Sequence, residues 1–398
     1  MATDEDAAAQ IAAYALRNEL WFGDGPRSPQ RPLSWAIAMS PVELERSTFD
    51  YLRYHIPGVL QEFVSSAGVE SQGESEPICI RPDFVVAEDG HVAIVECNVD
   101  RRLDRGIAIG VEDYTVESGI AEPSHLVGLA RAYSDLLRSD ASTESRVGIV
   151  VEPSRSNYRA QEALFARALT DAGVVADIVQ LDSHGEVEGW PPGGFILPEL
   201  EGLASEWPVR LGILARQWRP VGCPRGYDDK ALLVQGSARF PDISPTFNLD
   251  DPSLAASPWG SRAGLAIAKP AAVLKRAGTT DSSTESRGVE ISLDCSPEKW
   301  REAVDVASAN PAEWIVQRFV EGQRLPVEFK ETPLGKTRSS MAPYRLTGYY
   351  VRSSFAGGST YQLAHLNATM GTDREMLLGR SHLIRTRRQC AYAVVRSK

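Results

Sequence analysis

Apolar and polar residues alternate along residues 81–98, which read RPDFVVAEDGHVAIVECN. Valine-rich runs lie on both sides of Asp89-Gly90, a residue pair typical of a tight two-residue turn between antiparallel strands. The pattern therefore predicts a β-hairpin in which Glu88 pairs with His91. That pair sets the register of both strands, because each step away from the turn brings the next two residues opposite each other.

In this register Asp83 faces Glu96, Arg81 faces Asn98, and the side-chain period of two puts all four on one face. Like charges that face each other directly are destabilising, so an Asp opposite a Glu needs a reason. Two carboxylates and an amide oxygen are hard ligands of the kind that hold Mg²⁺ together with water and phosphate oxygens. The pattern thus indicates a nucleotide-metal site beside an arginine. The alternative is a solvated ion-pair cluster in which Arg81 neutralises both acids.

Other patterns predict the rest of the fold. The capping-box sequence SPVE at residues 40–43 predicts a helix that runs to about Ser65. Between residues 147 and 197, apolar strands alternate with a helical stretch, which indicates a small parallel sheet. Ser296 ahead of a proline predicts a further helix to about Ala309.

Breaks between these patterns divide the chain into three regions. Residues 1–145 carry the hairpin and end at the polar linker SDASTESR. Residues 146–225 form a small α/β domain, and residues 226–398 hold the remaining chemical candidates.

Residues 273–275 predict a strand that ends in Lys275, and a polar loop flanked by glycines follows at residues 276–288. A cation that offsets charge and a loop whose backbone N–H groups close over oxygens can clamp phosphates. An ordinary exposed hairpin loop is the alternative.

The apolar residues 314–320 predict a strand that can present backbone groups to an adenine ring, with Gln317 reading the exocyclic amine, or a plain core strand. Residues 344–358 predict a later strand and a glycine-rich turn. Arg345 or Arg352 on it could reach a phosphate, or both could simply be solvated at the surface.

Composition narrows the function classes. With 398 residues, of which 43% are hydrophobic, the chain can bury a large core in two or three domains. A net charge of −11 argues against nucleic acid or an anionic membrane as the main partner. The N-terminal residues are acidic and no apolar run approaches the ~20 residues of a membrane span. We therefore expect a cytoplasmic protein.

Several common motifs are missing from the sequence. The five cysteines form no C-x-x-C pair, and the six histidines form no HExxH motif. The sequence also lacks GxGxxG after a strand and GxSxG, which excludes a dinucleotide fold and a serine hydrolase by motif. Gly335-Lys336-Thr337 ends like a P-loop, but Lys330 stands where the first glycine is needed.

Taken together, the motifs resemble those of a circularly permuted ATP-grasp ligase and are most similar to the glutathionylspermidine synthetase group. In that group, paired Arg-x-Asp and Glu-x-Asn strands precede two nucleotide-binding lysines. The matching residues here are Arg81, Asp83, Glu96, Asn98, Lys230 and Lys275. The family's hinge strand and a later strand with paired glycines resemble residues 314–320 and 349–358, so the resemblance spans roughly residues 40–360.

The resemblance implies an α/β (α+β) architecture, namely a circularly permuted ATP-grasp fold with a small Rossmann-like pre-ATP-grasp domain. It also implies an ATP-dependent carboxylate–amine ligase that works through an acyl-phosphate and releases ADP and phosphate. Arg81 would be catalytic, and the Mg²⁺ ligands would be Asp83, Glu96 and Asn98. The ATP-binding residues would be Lys230, Lys275, Gln317, Arg318, Val320 and Glu321.

The chain departs from the family in two places. Lys269 precedes a proline, as the family's second lysine often does, and competes with Lys275 for the role of lid lysine. We prefer Lys275 because the loop begins directly after it. No amidase-type domain precedes the hairpin, so glutathione and spermidine are not implied as substrates.

Three alternatives concern function and assembly. An ATP-dependent phosphotransferase and a nucleotide-binding scaffold without turnover both stay open. The expected partners are small-molecule carboxylate and amine substrates, and a homo-oligomer is left open.

Overall fold

The structure is a computed structural model of the chain. It describes residues 4–20, 33, 35–66, 77–100, 103–139, 146–151, 159–179, 194–199, 219–220, 230, 232–249, 252–267, 270–277, 289–353, 360–371 and 391–398.

The described strands follow one another along the whole chain. They are β1 (Ala36–Ala38), β2 (Val42–Leu44), β3 (Cys79–Val86), β4 (Val92–Val99), β5 (Arg146–Val151), β6 (Val175–Val179), β7 (Phe195–Glu199), β8 (Arg219–Pro220), β9 (Thr246–Asn248), β10 (Ala272–Arg276), β11 (Val289–Ile291), β12 (Trp314–Arg318), β13 (Arg324–Lys330), β14 (Arg338–Ser353), β15 (Thr360–Met370) and β16 (Ala391–Ser397).

The described helices lie mainly between these strands. They are α1 (Asp4–Arg17), α2 (Arg46–Asp50), α3 (Ile56–Ser66), α4 (Arg105–Glu117), α5 (Leu129–Ser139), α6 (Arg159–Asp171), α7 (Leu232–Ser237), α8 (Arg262–Ile267) and α9 (Pro297–Ala309). A π-helical turn, Tyr51–His55, joins α2 to α3. Within the described residues, no helix has both the length and the apolar character that crossing a bilayer takes.

A large sheet brings together strands from distant parts of the chain. Its order is β13-β1-β16-β15-β14-β3-β4, and β2 pairs with β16. Because β13 also pairs with β14, the pairings close into a circuit through β13, β1, β16, β15 and β14. The sheet is therefore strongly curled, and all its pairs are antiparallel except those of β16 with β1 and β2.

One face of the large sheet is apolar. Phe84 of β3 and Leu346 of β14 share a buried cluster with Leu52 and Phe63, which lie on the helical run that covers this face. Because side chains alternate along a strand, the residues between these apolar ones point to the opposite face. That opposite face carries the polar side chains of the candidate site.

The second sheet is small and antiparallel, in the order β11-β10-β12-β9. Helix α9 packs behind it through Trp300 and Val304, which share a buried cluster with Leu274 and Val316. Its other side turns towards the β3–β4 hairpin.

The third sheet is parallel, in the order β6-β5-β7-β8, with α6 between β5 and β6 in sequence. This confirms the small parallel sheet predicted between residues 147 and 197. The Rossmann-like assignment and the circular permutation stay predictions.

Helices α4 and α6 connect the parallel sheet to the large sheet at very close range. Arg105 and Glu162 form an ion pair of 3.0 Å in which each side chain is only 1% exposed. Beside it, a Cβ atom on Gly106 would lie 1.9 Å from the carbonyl oxygen of Gln161. Any side chain at position 106 would therefore push the two helices apart.

The helix predicted from the capping box at residues 40–43 begins later than expected, at Arg46, and ends at Ser66. Val42 and Leu44 instead form β2, which pairs in parallel with β16. Both side chains are buried with an exposed residue between them, so the burial has the period of a strand. Pairing with a strand some 350 residues later in the chain overrides the local capping signal.

Candidate active site

The β3–β4 hairpin brings the predicted pairs together. Asp83 faces Glu96, and Arg81 faces Asn98. The turn, however, differs from the prediction. Glu88 does not pair with His91.

The hairpin turn has three residues instead of two. The backbone N–H of Ala87 donates to the carbonyl oxygen of His91 at 2.8 Å, and Gly90 has a φ of 86° that favours glycine. The register then shifts between Asp83 and Phe84, where Val95 is left as an extra residue in a β-bulge. The three-residue turn shifts the register by one residue, and the extra residue in the bulge shifts it back. Beyond the bulge, Asp83 therefore faces Glu96 and Arg81 faces Asn98, as predicted.

Asp83 is buried, with 2% of its side chain exposed, and β14 holds it in place. The Thr347 hydroxyl donates to Asp83 Oδ1 at 2.8 Å, and an Arg345 nitrogen lies 3.3 Å from Oδ2. The ion pair of Asp83 is therefore buried and is made with Arg345 of β14. The polar row continues to β15, where Asn367 pairs with Thr347 and its Oδ1 has no hydrogen-bond partner among the described residues.

Arg81 is held from the side by the start of α4. Its guanidinium donates to Asp104 Oδ2 at 2.6 Å, and the Arg81 side chain is 12% exposed. Asp104 has a φ of 50°, a left-handed conformation in which Asp is one of the better-tolerated residues. Arg81 is therefore fixed by a neighbour outside the predicted set.

Glu96 is half-buried and lies among positive charges. Burial alone would raise its pKa, but four cations outweigh burial and lower the pKa to about 2. In order of influence these are Lys230, Lys275, Arg345 and Arg81. Lys230 Nζ lies 3.9 Å from Glu96 Oε1. Glu96 is therefore a carboxylate throughout the neutral range.

Lys275 reaches across from the second sheet. Its side chain is buried on β10, and Nζ donates to the backbone carbonyl oxygen of Val95 at 2.7 Å. Burial lowers the pKa of Lys275 to about 8, although the nearby charge of Glu96 acts in the opposite direction. Burial thus makes the charged form of Lys275 less favourable, and an anion bound nearby would stabilise that charge.

A cavity of about 120 Å³ lies between the second sheet and the hairpin. Its walls are mostly apolar, and the charged side chains of Glu96, Lys275 and Arg345 also line it. The predicted nucleotide residues on this wall are Lys275, Gln317, Arg318, Val320 and Glu321, and Glu96 and Arg345 face them. Gln317 is 1% exposed, and its amide nitrogen donates to Thr246 Oγ1 at 3.1 Å.

Some predicted residues lie elsewhere. Three predicted residues of the hairpin do not line this cavity: Asp83, Arg81 and Asn98. Lys230 does not line it either, but its Nζ lies near the Glu96 carboxylate, which does. Lys269 and most of the predicted lid loop, residues 278–288, fall outside the described residues.

Sequence reasoning missed the support from β14 and β15. Of the two arginines considered on β14, the structure brings Arg345 to the site, whereas Arg352 lies several residues further along. Thr347 and Asn367 were not predicted at all. Their only local signal is the period of two that puts Thr347 on the same face as Arg345.

The oxygen atoms of the predicted site residues can be compared with what a metal ion requires. Among the described residues, no group of three or more His, Cys, Asp or Glu side chains is arranged for an ion. Asp83, Glu96 and Asn98 are instead two carboxylates and an amide, which suits Mg²⁺ completed by phosphate oxygens. Asp83 accepts two contacts already, which leaves about half of its acceptor sites. The Asn98 amide nitrogen is buried without a hydrogen-bond partner in the described part of the chain. These residues fit a shared metal and phosphate site.

Comparisons with known proteins bear on the fold. No family model matches the sequence, and no curated protein matches it significantly. A solved glutathione synthetase-like effector, GSS30 from Globodera pallida in its apo form, matches with a TM-score of 0.56 and 11% identity. That match covers 98% of this chain and 96% of the effector.

A putative gamma-glutamylcysteine synthetase from Methylobacillus flagellatus matches with a TM-score of 0.38 and 12% identity over 80% of each chain. A score this low carries no argument. The first match shows that the chain shares the fold of a glutathione synthetase-like protein.

Proposed function

We propose that this chain is an ATP-dependent carboxylate–amine ligase of the ATP-grasp type. The observation that carries the proposal is the meeting of Lys230, Lys275 and Arg345 around the Glu96 carboxylate, which lines a mostly apolar cavity. Buried cations in excess of their acids favour a polyanion, and an apolar cavity beside them favours a ring. A nucleoside triphosphate has both parts.

ATP would lie between the second sheet and the hairpin. Its adenine would fill the apolar part of the cavity, against the end of β12 and residues 319–321, and its phosphates would point to Lys275 and Lys230. Because Gln317 Nε2 already donates to Thr246, adenine recognition by Gln317 would fall to the carbonyl oxygen of its side chain.

Glu96, Asp83 and Asn98 would hold Mg²⁺. When bound, the ion would neutralise charge that develops on the transferring phosphoryl group. Arg345 binds Asp83 on one side and lines the cavity on the other, so it would tie the carboxylate geometry to the phosphate position.

The reaction begins with attack of a substrate carboxylate oxygen on the γ-phosphorus, which breaks the bond to the β-phosphate and releases ADP. The amine then attacks the acyl carbon, loses a proton and expels phosphate, which leaves the amide. Arg81, fixed by Asp104, would stabilise negative charge on the acyl-phosphate and on the tetrahedral oxyanion. Positioning and charge account for most of the catalysis in such transfers.

The architecture supports related parts of the proposal. The parallel sheet would be the small pre-ATP-grasp domain. The pairing of β1 and β2 with β16 agrees with a permuted order of elements. The substrates would be small-molecule carboxylates and amines, as the name of the glutathione synthetase-like neighbour suggests.

The first test is calorimetric binding of a non-hydrolysable ATP analogue with and without Mg²⁺. We expect Mg²⁺-dependent binding in the native chain that weakens in Glu96→Ala. Glu88→Ala, which changes an exposed acid of the same hairpin, is the matched control and should bind normally. Absence of binding under every condition would overturn the proposal.

Product analysis separates the alternatives. ADP release that needs both an acid and an amine identifies a ligase. Release with an acid or alcohol alone identifies a phosphotransferase. Tight nucleotide binding without ADP release across a broad panel of acids and amines identifies a scaffold.

A further inference from the structure

A second cavity, of about 340 Å³, shares no lining residue with the nucleotide cavity. It lies between the start of the helical run at residues 46–54, the segment 122–125 and the end of β16 at residues 394–398. Nothing in the proposed ligase reaction uses it.

Two half-buried arginines face this cavity from opposite elements. Arg53 comes from the π-helical turn, and Arg396 comes from β16. Neither makes an ion pair with a carboxylate of the described residues. The Nε atom of Arg396 is buried and has no hydrogen-bond partner there either. A buried guanidinium nitrogen without a hydrogen-bond partner is costly in a folded protein.

The other charges around the cavity are largely committed. Arg46 lies 3.6 Å from Asp50, and Lys398 lies 2.7 Å from Glu45. Glu112 accepts from buried His365 at 3.0 Å. His125 and Glu122 are both exposed. Arg53 and Arg396 are thus the two guanidinium groups of this cavity that have no ion-pair partner among the described residues.

The π-helical turn sets the position of Arg53. The Tyr51 ring stacks on His55 with 4.5 Å between centroids, the Tyr51 hydroxyl donates to Asp242, and His55 lies 3.5 Å from the same carboxylate. These contacts of Tyr51 and His55 with each other and with Asp242 fix the π-helical turn that carries Arg53. Single π-helical turns inside α-helices occur frequently at functional sites.

The mouth of the cavity carries an exposed aromatic ring. Tyr54 is 68% exposed, and the Arg53 guanidinium lies 5.2 Å from its ring centroid. The ring limits where Arg53 can go and offers an apolar surface to whatever enters. Arg53 is therefore held at the cavity without being neutralised.

We propose that this cavity binds a small molecule through a carboxylate or phosphate group held between Arg53 and Arg396. A guanidinium offers paired N–H groups whose spacing matches the oxygens of either group. The proposal does not depend on the proposed ligase activity, because the two cavities have no residue in common.

The test uses the full chain in calorimetric titrations at constant ionic strength, with inorganic phosphate and succinate as separate probes. We expect saturable binding of at least one probe, and the probe that binds more tightly identifies the group. Arg53→Gln and Arg396→Gln should each weaken that binding by about tenfold or more, since each removes a charge-assisted hydrogen bond.

Two control variants show which cavity binds the probe. Arg301→Gln, which changes an exposed arginine of α9, should bind like the native chain, and so should Lys275→Ala in the nucleotide cavity. If the Arg396→Gln chain does not fold, Arg396→Lys keeps the charge, removes the paired N–H groups and should still weaken binding. Binding that only Lys275→Ala removes would overturn the proposal, as would the absence of binding by both probes.

Discussion

The Lys275 ammonium group donates a 2.7 Å hydrogen bond to the backbone carbonyl oxygen of Val95. Val95 is the residue that the β-bulge leaves without a cross-strand partner. A bulge redirects backbone groups that would otherwise be used in the sheet, so this carbonyl is available to a side chain from another sheet. The hairpin and the second sheet are thus linked at the wall of the proposed nucleotide cavity.

Replacing Lys275 should impair nucleotide binding. Lys275→Ala removes a buried cation that faces the proposed phosphates, and we expect the Kd for the ATP analogue to rise by at least about tenfold. Calorimetry measures this directly. Lys336→Ala changes an exposed lysine and should have no effect. A larger loss in Lys269→Ala than in Lys275→Ala would mean that the lid lysine is Lys269.

Thr347 should matter for stability through its hydroxyl. Thr347→Val keeps the shape but leaves the buried Asp83 carboxylate without its 2.8 Å donor. We expect the free energy of unfolding to fall by about 1–3 kcal/mol. Thr347→Ser keeps the hydroxyl and should lose less. Urea unfolding followed by circular dichroism checks both variants, and a loss in Thr347→Ser as large as that in Thr347→Val would contradict the role of the hydroxyl.

Two glycines should respond in opposite directions to the same change. Gly106→Ala places a Cβ against the Gln161 carbonyl and should lower the free energy of unfolding by several kcal/mol. Gly58, in α3, has nothing within 4 Å of the new Cβ. Gly58→Ala should therefore raise stability by about 0.5–1 kcal/mol, because alanine loses less entropy in a helix. Thermal unfolding of both variants provides the comparison.

Lowering the pH should remove the contribution of the Glu112–His365 pair to the free energy of unfolding. Burial acts to raise the pKa of Glu112, but the hydrogen bond and charge of His365 outweigh it and the pKa is lowered. A carboxyl group with a lowered pKa in the folded state stabilises the protein above its unfolded pKa. That stabilisation is lost as the pH falls through the folded value.

Glu112→Gln should accordingly cost about 1 kcal/mol of unfolding free energy at neutral pH. The difference from the native chain should shrink as the pH falls below the ordinary range of a glutamate. Urea unfolding from pH 7 downwards measures it. A difference that stays constant over this range would contradict an ionic role for Glu112.

The hairpin register could be predicted because its partners are close in sequence and its periodicity is regular. Even so, the prediction assumed a two-residue turn, and the pairs are right only because the bulge at Val95 offsets the three-residue turn. Neither feature has a strong signal in the sequence, since a glycine after an aspartate is compatible with both kinds of turn.

The support from β14 and β15 could not be predicted in the same way. Thr347 and Asp83 are 264 residues apart, and the pattern of one strand does not say which other strand it pairs with. The helix expected from residues 40–43 began late for the same reason, because β16 recruits Val42 and Leu44 into a strand. Local sequence patterns predict individual helices and strands, but pairing between strands that are far apart in sequence decides which of these elements form.

The place of β16 in the large sheet has a consequence for how the chain acquires its structure during synthesis. β16 follows every other strand of that sheet in sequence, yet it lies between β1 and β15. The circuit of strands therefore cannot close until residues 391–394 of β16 have left the ribosome. Until then the edges of β1 and β15 that pair with β16 are open to unwanted pairing with other chains.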